Sequence, residues 1–254
     1  MIINRRNFLR KTAVNTIGLA AIPGILSASM SPTSKKKKGI LSSVTNKSVV
    51  LFQGDSITDA GRERMKQFAN VASSFGPGYA FLAASKILQE NADKDLLIYN
   101  RGISGNKVFQ LADRWQRDCF DLHPGILSIL IGVNDYWHTL DGKYNGTVDV
   151  YEQDYRQLLI LTKKMLPEVE LVICEPFAVL GVSAVTEKWF PDFDAYRAVA
   201  KKIAEEFDAV FIPYHTIFTE ALVYAPGNYW TADGVHPTMA GCELMAEAWL
   251  KAVK

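Results

Sequence analysis

The chain has 254 residues, of which 48% are hydrophobic and 22% are charged, and its formal net charge is +1. This length and mixture are typical of one large globular domain with a short appendage, and the balanced charge argues against a nucleic-acid-binding protein. Three widely spaced cysteines, Cys119, Cys174 and Cys242, fit neither a disulfide framework nor a zinc site. We expect the last two to be small core residues, because each lies in an apolar pattern.

Residues 1–29 have the pattern of an export signal. A basic start with the pair Arg5 and Arg6 is followed by a weakly apolar stretch and then by small residues. The stretch is too short to span a bilayer and is interrupted by Pro23, and RRNFLRK resembles the twin-arginine export signal. An ordinary secretory signal or a tethering segment is the alternative. We therefore predict a bacterial protein exported to the periplasm or the extracellular space, without stable membrane insertion, and a flexible, lysine-rich linker at 30–46.

From residue 47 onward, short apolar runs alternate with stretches of helical spacing. The apolar runs predict strands at 48–53, 96–100, 126–131, 171–174 and 209–212. The helical spacing predicts helices at 78–89, 108–119, 151–166, 192–207 and 216–224, and a last amphipathic helix around 242–253. Strand–helix units with short links predict a parallel sheet covered on both faces, in which ligands bind at the carboxyl ends of the strands.

Glycines and polar residues follow the strands at that predicted edge. The loops carry Gly54, Asp55 and Ser56 after the first strand, Gly102, Gly105 and Asn106 after the second, Asn134 and Asp135 after the third, and Asp233 and His236 before the last helix. Because the carboxyl ends of parallel strands meet at the same edge of a sheet, we expect these loops to border one cleft.

This set contains the parts that acyl transfer needs. A serine hydroxyl, here Ser56, is a weak nucleophile that needs an adjacent base, and His236 is suitable because histidine exchanges protons near neutral pH. Asp233 lies three residues earlier in the same loop and can orient the imidazole. The backbone N–H groups of Ser56 and Gly105 and the side-chain amide of Asn134 are candidate donors to the oxyanion. Glycine at 105 would let the backbone approach closely, which a side chain there would block.

Each of these residues alone has a simpler interpretation. Ser56 could only cap a helix, His236 could be an ordinary loop histidine, Asn134 could be a turn residue, and the glycines could form a tight turn. It is their occurrence together, in one order at the ends of successive strands, that favours catalysis.

A metal site is a further alternative, suggested by Asp55, Asp59 and Asp135. Two-metal phosphoesterases place histidines among their carboxylates, whereas the other histidines of this chain are isolated. We therefore expect the aspartates to brace loops through hydrogen bonds to backbone N–H groups, and we predict neither a metal ion nor a cofactor.

The combined pattern resembles the SGNH, or GDSL, hydrolase superfamily. The four sequence blocks of that superfamily are matched by GDS at 54–56, G-x-x-G-N at 102–106, G-x-N-D at 132–135 and D-x-x-H at 233–236. The first block reads GDSIT here instead of GDSL. The resemblance implies a flavodoxin-like three-layer α/β/α sandwich with a five-stranded parallel sheet over 47–254. It also implies a serine esterase with Ser56 as the nucleophile, His236 as the base, Asp233 as its orienting acid, and Ser56, Gly105 and Asn134 as the oxyanion hole.

Aromatic residues near the predicted cleft bear on the substrate. Tyr136, Trp137 and Trp230 are either packing residues or a platform for the face of a sugar, and Asp55 is a further candidate for substrate contact. No long apolar lid segment is visible, so we expect a small-molecule or glycan ester with a short acyl group, above all acetyl. A lysophospholipase or thioesterase activity and a non-catalytic carbohydrate-binding protein are the alternatives. The sequence indicates no particular oligomeric state.

Overall fold

The computed structural model of the chain describes residues 39–254. The predicted export signal at 1–29 lies outside the described residues, and so do positions 30–38 of the predicted linker. No helix in the described part of the chain combines the length and the apolar character needed to cross a membrane.

The last positions of the predicted linker are part of the fold. Ile40–Ser43 forms a short 3-10 helix, and the side chains of Ile40, Leu41 and Val44 are buried. The folded part of the chain therefore begins before residue 47, the boundary that the sequence predicted, because three apolar side chains upstream of it join the core.

Five parallel strands form the central sheet. They are β1 (Val49–Gly54), β2 (Leu97–Asn100), β3 (Ile126–Leu130), β4 (Glu170–Cys174) and β5 (Val210–Ile212), in the order β2-β1-β3-β4-β5. Residues of β3 are buried along its whole length, as predicted from its continuous apolar run, whereas the edge strands β2 and β5 are partly exposed. The five-stranded parallel sheet predicted from the sequence is confirmed, and each strand end lies within one residue of its predicted position.

Helices cover both faces of this sheet. They are α1 (Ser56–Asp59), α2 (Tyr79–Glu90), α3 (Val108–Ala112), α4 (Trp115–Asp118), α5 (Val133–Leu140), α6 (Val148–Met165), α7 (Asp192–Glu206), α8 (Tyr214–Ala221), α9 (Gly227–Trp230) and α10 (Met239–Val253). Helix α2 packs against α10, and α6 packs against α3 and α7. The right-handed rule for parallel crossovers explains this pairing, because the chain reverses direction across the sheet after β2. The result is the expected three-layer sandwich.

Two buried tryptophans anchor helices, one to the sheet and one to a neighbouring helix. Trp249 of α10 donates its indole N–H to the hydroxyl of Ser128 on β3 at 2.9 Å, and its ring lies 5.0 Å from that of Phe52 on β1. Trp115 of α4 donates to the hydroxyl of Thr162 on α6 at 2.9 Å. Each indole N–H is thus satisfied in the core, which removes the cost of burying an unpaired donor.

Three local predictions differ from the structure. The stretch 108–119 forms two short helices, α3 and α4, instead of one. The loop expected after β3 is the helix α5, which starts directly behind Gly132. The short helix expected at 216–224 begins and ends earlier, as α8.

Candidate active site

Strand β1 ends in a tight turn that places Ser56 at the carboxyl edge of the sheet. Asp55 caps α1, since its Oδ1 accepts the backbone N–H of Ile57 at 3.0 Å, and Ser56 is therefore the first helical residue and not the cap. Gly54 has no room for a side chain, because a Cβ there would lie 2.4 Å from the carbonyl oxygen of Leu130. This close packing of β1 against β3 fixes the point from which Ser56 projects.

Ser56, His236 and Asp233 lie together in one hydrogen-bonded chain. Ser56 Oγ is 2.8 Å from His236 Nε2, although the two residues are 180 positions apart, and His236 Nδ1 is 2.7 Å from Asp233 Oδ2. The other carboxylate oxygen of Asp233 accepts the backbone N–H groups of Val235 and His236 at 2.9 and 2.8 Å. The carboxylate is thus fixed by the same loop that carries the imidazole.

The protonation state of the Asp233 carboxyl follows from its surroundings. Burial acts to raise the pKa of Asp233, but hydrogen bonds from the backbone N–H groups and the ring of His236 outweigh burial, and the pKa lies below the usual range of a carboxyl. An ionised Asp233 accepts a hydrogen bond from Nδ1–H, which leaves the lone pair of His236 on Nε2, facing the hydroxyl of Ser56. In this tautomer the serine donates to the histidine, which is the arrangement that removal of the serine proton requires.

Gly105 lies in the loop after β2, and Asn134 lies at the start of the helix that follows β3. Asn134 lies in the first turn of α5, is buried, and donates its side-chain amide to the carbonyl of Asn106 at 3.2 Å. Gly105 adopts a φ of +82°, a region that favours glycine. A Cβ at Gly105 would meet no protein atom within 4 Å, so the protein's own packing does not require glycine there, and the close approach of this backbone to an oxyanion stays a prediction.

The close approach occurs instead at Gly102, three residues earlier. A Cβ on Gly102 would lie 2.4 Å from the backbone nitrogen of Asp59, the last residue of α1. Asn100 reinforces this contact, because its amide donates to the carbonyl of Thr58 at 2.6 Å while its Oδ1 accepts the N–H of Gly102 at 2.8 Å. The helix that carries Ser56 and the loop that carries Gly105 are therefore locked together.

Asp59 adds a second link between the same two segments. Its buried carboxylate accepts the N–H of Ser104 at 2.8 Å and two N–H groups of Arg64. The sequence indicated that Asp59 would brace loops, but it did not single out Asn100, whose position at the end of β2 is its only signal.

Two buried carboxyls flank the site, Asp55 beside Ser56 and Asp135 beside Asn134. Asp135 accepts the N–H of Val108 at 3.1 Å through Oδ1, and the Oδ2 atoms of both aspartates have no hydrogen-bond partner among the described residues. Burial raises the pKa of each to about 7, against the lowering effect of the backbone N–H groups. Because Asp55 is fully buried, the suggestion that it contacts substrate is wrong, and its role is to shape the turn.

Of the three aromatic candidates, Tyr136 belongs to the core. Its exposed fraction is 4%, its ring lies 5.5 Å from Trp189 and 5.4 Å from Tyr196, and its hydroxyl donates to the carbonyl of Lys188 at 3.1 Å. The interpretation of Tyr136 as a sugar platform is therefore wrong. Residues i and i+1 of a helix point in different directions, and the sequence did not reveal that this segment is helical.

Trp137 and Trp230 have different positions relative to the site. The half-buried ring of Trp137 lies 6.2 Å from the imidazole of His236 and 5.5 Å from Trp189, so it borders the His236 side chain. Trp230 donates its indole N–H to the carbonyls of Ala221 and Ala225, both at 3.1 Å. The carbonyl of Trp230 accepts the N–H of Thr238 and so closes the base of the loop that holds His236.

Ser56 and His236 open into one cleft of about 520 Å³, which we call the Ser56 cleft. Its lining residues are Ser56, Ile57, Asp59, Ala60, Gly61, Arg64, Pro77, Gly78, Ser104, His236, Pro237 and Cys242. The sequence pattern did not point to the segment between α1 and α2, which supplies Gly61, Arg64 and Pro77. Within the described residues, no group of three or more histidine, cysteine or carboxylate side chains is arranged to hold a metal ion.

Comparisons of the sequence and the structure with known proteins all relate this chain to the same group of hydrolases. The sequence pattern of the GDSL-like Lipase/Acylhydrolase family matches residues 52–244. The acetylxylan esterase of Geobacillus stearothermophilus is 32% identical over 210 residues, which cover 80% of this chain and 93% of that protein. Its crystal structures include forms described as catalytic mutants, in which a serine or an aspartate is replaced by alanine.

Solved structures agree with the sequence match. A candidate GDSL-like lipase from Parabacteroides merdae has 49% identity and a TM-score of 0.81, and the match covers 83% of this chain and 97% of that chain. A crystal structure of the acetylxylan esterase of Geobacillus stearothermophilus has 30% identity and a TM-score of 0.71, covering 82% and 95% of the two chains.

The contact between Gly102 and α1 predicts that Gly102→Ala separates the loop of Gly105 from the helix of Ser56. We expect a loss of about 1–3 kcal/mol in the free energy of unfolding, typical of overpacking, and a fall of at least about tenfold in kcat for p-nitrophenyl acetate, since misplaced donors lose transition-state stabilisation. The exposed Gly125 is the control, because its Cβ would only reach an ordinary contact of 3.8 Å with the Val49 carbonyl. Equal effects of Gly102→Ala and Gly125→Ala would contradict the prediction.

The raised pKa of Asp55 predicts a pH-dependent difference in stability between the wild type and Asp55→Asn. Between pH 3.8 and about 7 the folded protein binds more protons at this site than the unfolded chain, so the wild type loses stability as the pH rises through that window. Asparagine does not titrate, and the stability of the variant relative to the wild type should rise from pH 5 to pH 8. Chemical unfolding at several pH values measures this slope, and a difference that is constant with pH would disprove it.

Proposed function

Because the chain belongs to the GDSL-like Lipase/Acylhydrolase family and is a carboxylic ester hydrolase, we propose that it removes acetyl groups from carbohydrate hydroxyls with Ser56, His236 and Asp233 as its catalytic residues. The observation that carries this proposal is the hydrogen-bonded chain from Ser56 Oγ through the imidazole to the carboxylate. The relationship to an acetylxylan esterase supports the carbohydrate and the acetyl group.

In the proposed first half-reaction, Ser56 Oγ attacks the ester carbonyl while His236 Nε2 takes the serine proton. The tetrahedral intermediate carries its negative charge on the former carbonyl oxygen, where the N–H groups of Ser56 and Gly105 and the amide of Asn134 would donate. The intermediate collapses when His236 returns the proton to the departing sugar hydroxyl. Asp233 steadies the imidazolium throughout, since it remains ionised.

In the second half-reaction, water takes the place of the sugar alcohol. His236 removes a proton from the water, the hydroxide attacks the acetyl-serine carbonyl, and the proton passes back to Ser56 Oγ as acetate leaves. Asn134 is suited to both steps, because its hydrogen bond to the Asn106 carbonyl fixes its amide before any substrate binds.

Two further features support a glycan substrate. The ring of Trp137 borders the imidazole of His236, and indole faces bind the apolar faces of sugars. The expected export signal would bring the enzyme to polysaccharides outside the cytoplasm, and we include export to the periplasm or beyond in the proposal.

A hydrolase of longer acyl chains is the second candidate function. Met65, Phe68 and Val71 are exposed, Met65 by 96%, on the segment between α1 and α2 that also lines the Ser56 cleft. Exposed apolar side chains beside a cleft are suited to a lipid chain. A series of esters that differ in acyl length separates the two candidates.

We predict that the wild type releases acetate from acetylated xylan, and that it hydrolyses p-nitrophenyl acetate with higher kcat/KM than the butyrate and octanoate esters. Ser56→Ala should abolish both activities and labelling by a fluorophosphonate, because no other residue supplies the nucleophile. Ser85→Ala, at an exposed serine of α2, is the matched control and should retain activity and labelling. Preferred turnover of octanoate would favour the second candidate, and labelling of Ser56→Ala would remove Ser56 from the mechanism.

We also predict that Asn134→Ala lowers kcat for p-nitrophenyl acetate by about 10²–10³, the usual effect of losing one oxyanion donor, while KM changes little. The donor acts on charge that exists only in the transition state, so ground-state binding should persist. Asn145→Ala, in the exposed loop before α6, is the control and should keep the wild-type kcat. An increase in KM at unchanged kcat would contradict the assigned role of Asn134.

A further inference from the structure

Arg64 is placed where it can contact a substrate. It lines the Ser56 cleft together with Ser56 and His236, and its side chain is 49% exposed. Its Nε and Nη2 groups both donate to Oδ2 of Asp59, which fixes the plane of the guanidinium and leaves the Nη1 hydrogens for another acceptor. A guanidinium fixed in this way has already lost much of the conformational freedom that ligand binding would otherwise remove.

The charges around Arg64 are unequal. The carboxylate of Asp59 is 1% exposed and faces two arginines, since Nε of the buried Arg62 also lies 4.0 Å from Oδ1. Burial lowers the pKa of Arg62 to about 10, so that it remains charged at neutral pH. One negative and two positive charges leave an excess of one positive charge, and only Arg64 presents that charge to the cleft.

The Ser56 cleft is open to the alcohol that leaves in the proposed reaction. His236 Nε2 must return a proton to the departing alcohol, so the alcohol must lie within hydrogen-bond reach of the imidazole, and His236 lines the Ser56 cleft. Asn134 and Gly105, the candidate oxyanion donors, are not among the lining residues. A volume of about 520 Å³ is far larger than an acetyl group and suits one or more sugar units.

We propose that Arg64 forms a carboxylate-binding subsite in the Ser56 cleft, and that the acetylated alcohol belongs to an acidic glycan that carries a uronic acid. This inference rests on the proposed acetylesterase function and names its substrate class. A uronic acid suits the subsite, because its carboxylate lies on the sugar and a planar guanidinium pairs with carboxylates through directed, charge-assisted hydrogen bonds.

The competing interpretation is that Arg64 only neutralises Asp59 and thereby holds Ser104 and the loop of Gly105. A structural role of this kind would affect every ester substrate equally. The test must therefore compare two substrates that differ in charge alone, and acetylated oligogalacturonides and their methyl-esterified forms provide that pair, with acetate release as the readout.

We expect the wild type to process the acidic substrate with kcat/KM about tenfold above that of the methyl-esterified substrate, the effect of a charged hydrogen bond at a partly exposed site. Arg64→Met should reduce this ratio to near one, mainly through KM, and Arg64→Lys should retain part of it. Salt at 0.5 M should lower the wild-type ratio as well, because it screens exposed charges.

Arg117→Met is the matched control. Arg117 is 63% exposed and pairs with Asp118, which is 2% exposed, so it repeats the arrangement of Arg64 and Asp59 away from the Ser56 cleft. Arg117→Met should therefore keep the wild-type ratio of kcat/KM between the acidic and the methyl-esterified substrate.

Two results would overturn the inference while leaving the esterase proposal intact. These are a wild-type ratio near one, and a ratio in Arg64→Met that equals that of the wild type. If the wild type releases acetate from acetylated xylan but from neither oligogalacturonide, the inference alone fails. If it hydrolyses p-nitrophenyl acetate but releases acetate from none of these glycans, the carbohydrate proposal fails and the inference fails with it.

Discussion

The 2.8 Å contact between Ser56 and His236 joins the first and the last loops at the carboxyl edge of the sheet, and the arrangement of the domain serves to keep it. Ser56 depends on the turn from β1 into α1, whereas His236 depends on a loop closed by the carbonyl of Trp230. Neither segment is held by its own hydrogen bonds alone. The buried strands between them fix the distance, because densely packed layers deform little.

The residues around the Ser56–His236 contact include carboxyl groups that are costly to bury. Asp55 and Asp135 each keep one carboxyl oxygen without a partner among the described residues, although an unpaired buried polar atom destabilises a fold. Asp55 directly follows β1 and caps α1, whereas Asp135 lies in the first turn of α5, beside Asn134, and accepts the N–H of Val108 at the start of α3. The cost is thus located beside Ser56 and Asn134, the proposed nucleophile and oxyanion donor, and unpaired buried polar groups often mark functional sites.

Much of this architecture could be predicted from the sequence, because two strong signals agree. Continuous apolar runs marked the buried strands, and the rule for parallel sheets placed the loops of Ser56, Asn134 and His236 at one edge. The errors occurred where an outcome depends on tertiary contacts. The sequence left Tyr136 and Trp137 equally open as packing residues or as a sugar platform, and it gave no sign that Gly102 packs against α1. Both features depend on contacts with residues far away in the sequence, the rings of Trp189 and Tyr196 for Tyr136 and the backbone of Asp59 for Gly102, and local patterns carry no such information.

The segment between α1 and α2 carries Arg64 but neither Ser56 nor His236. The carboxylate of Asp59 connects this segment to the loop of Gly105. The same carboxylate oxygen accepts from Arg64 and from the N–H of Ser104, next to Gly105. An anion that binds the Nη1 side of Arg64 leaves Nε and Nη2 on Asp59, so binding adds a partner without removing one. The link of Asp59 to Ser104 then persists, and so does the contact of Gly102 with α1. Under the proposed function, recognition of the sugar can therefore vary with residues of this segment while the ends of β1 and β2 keep Ser56 and Gly105 in place.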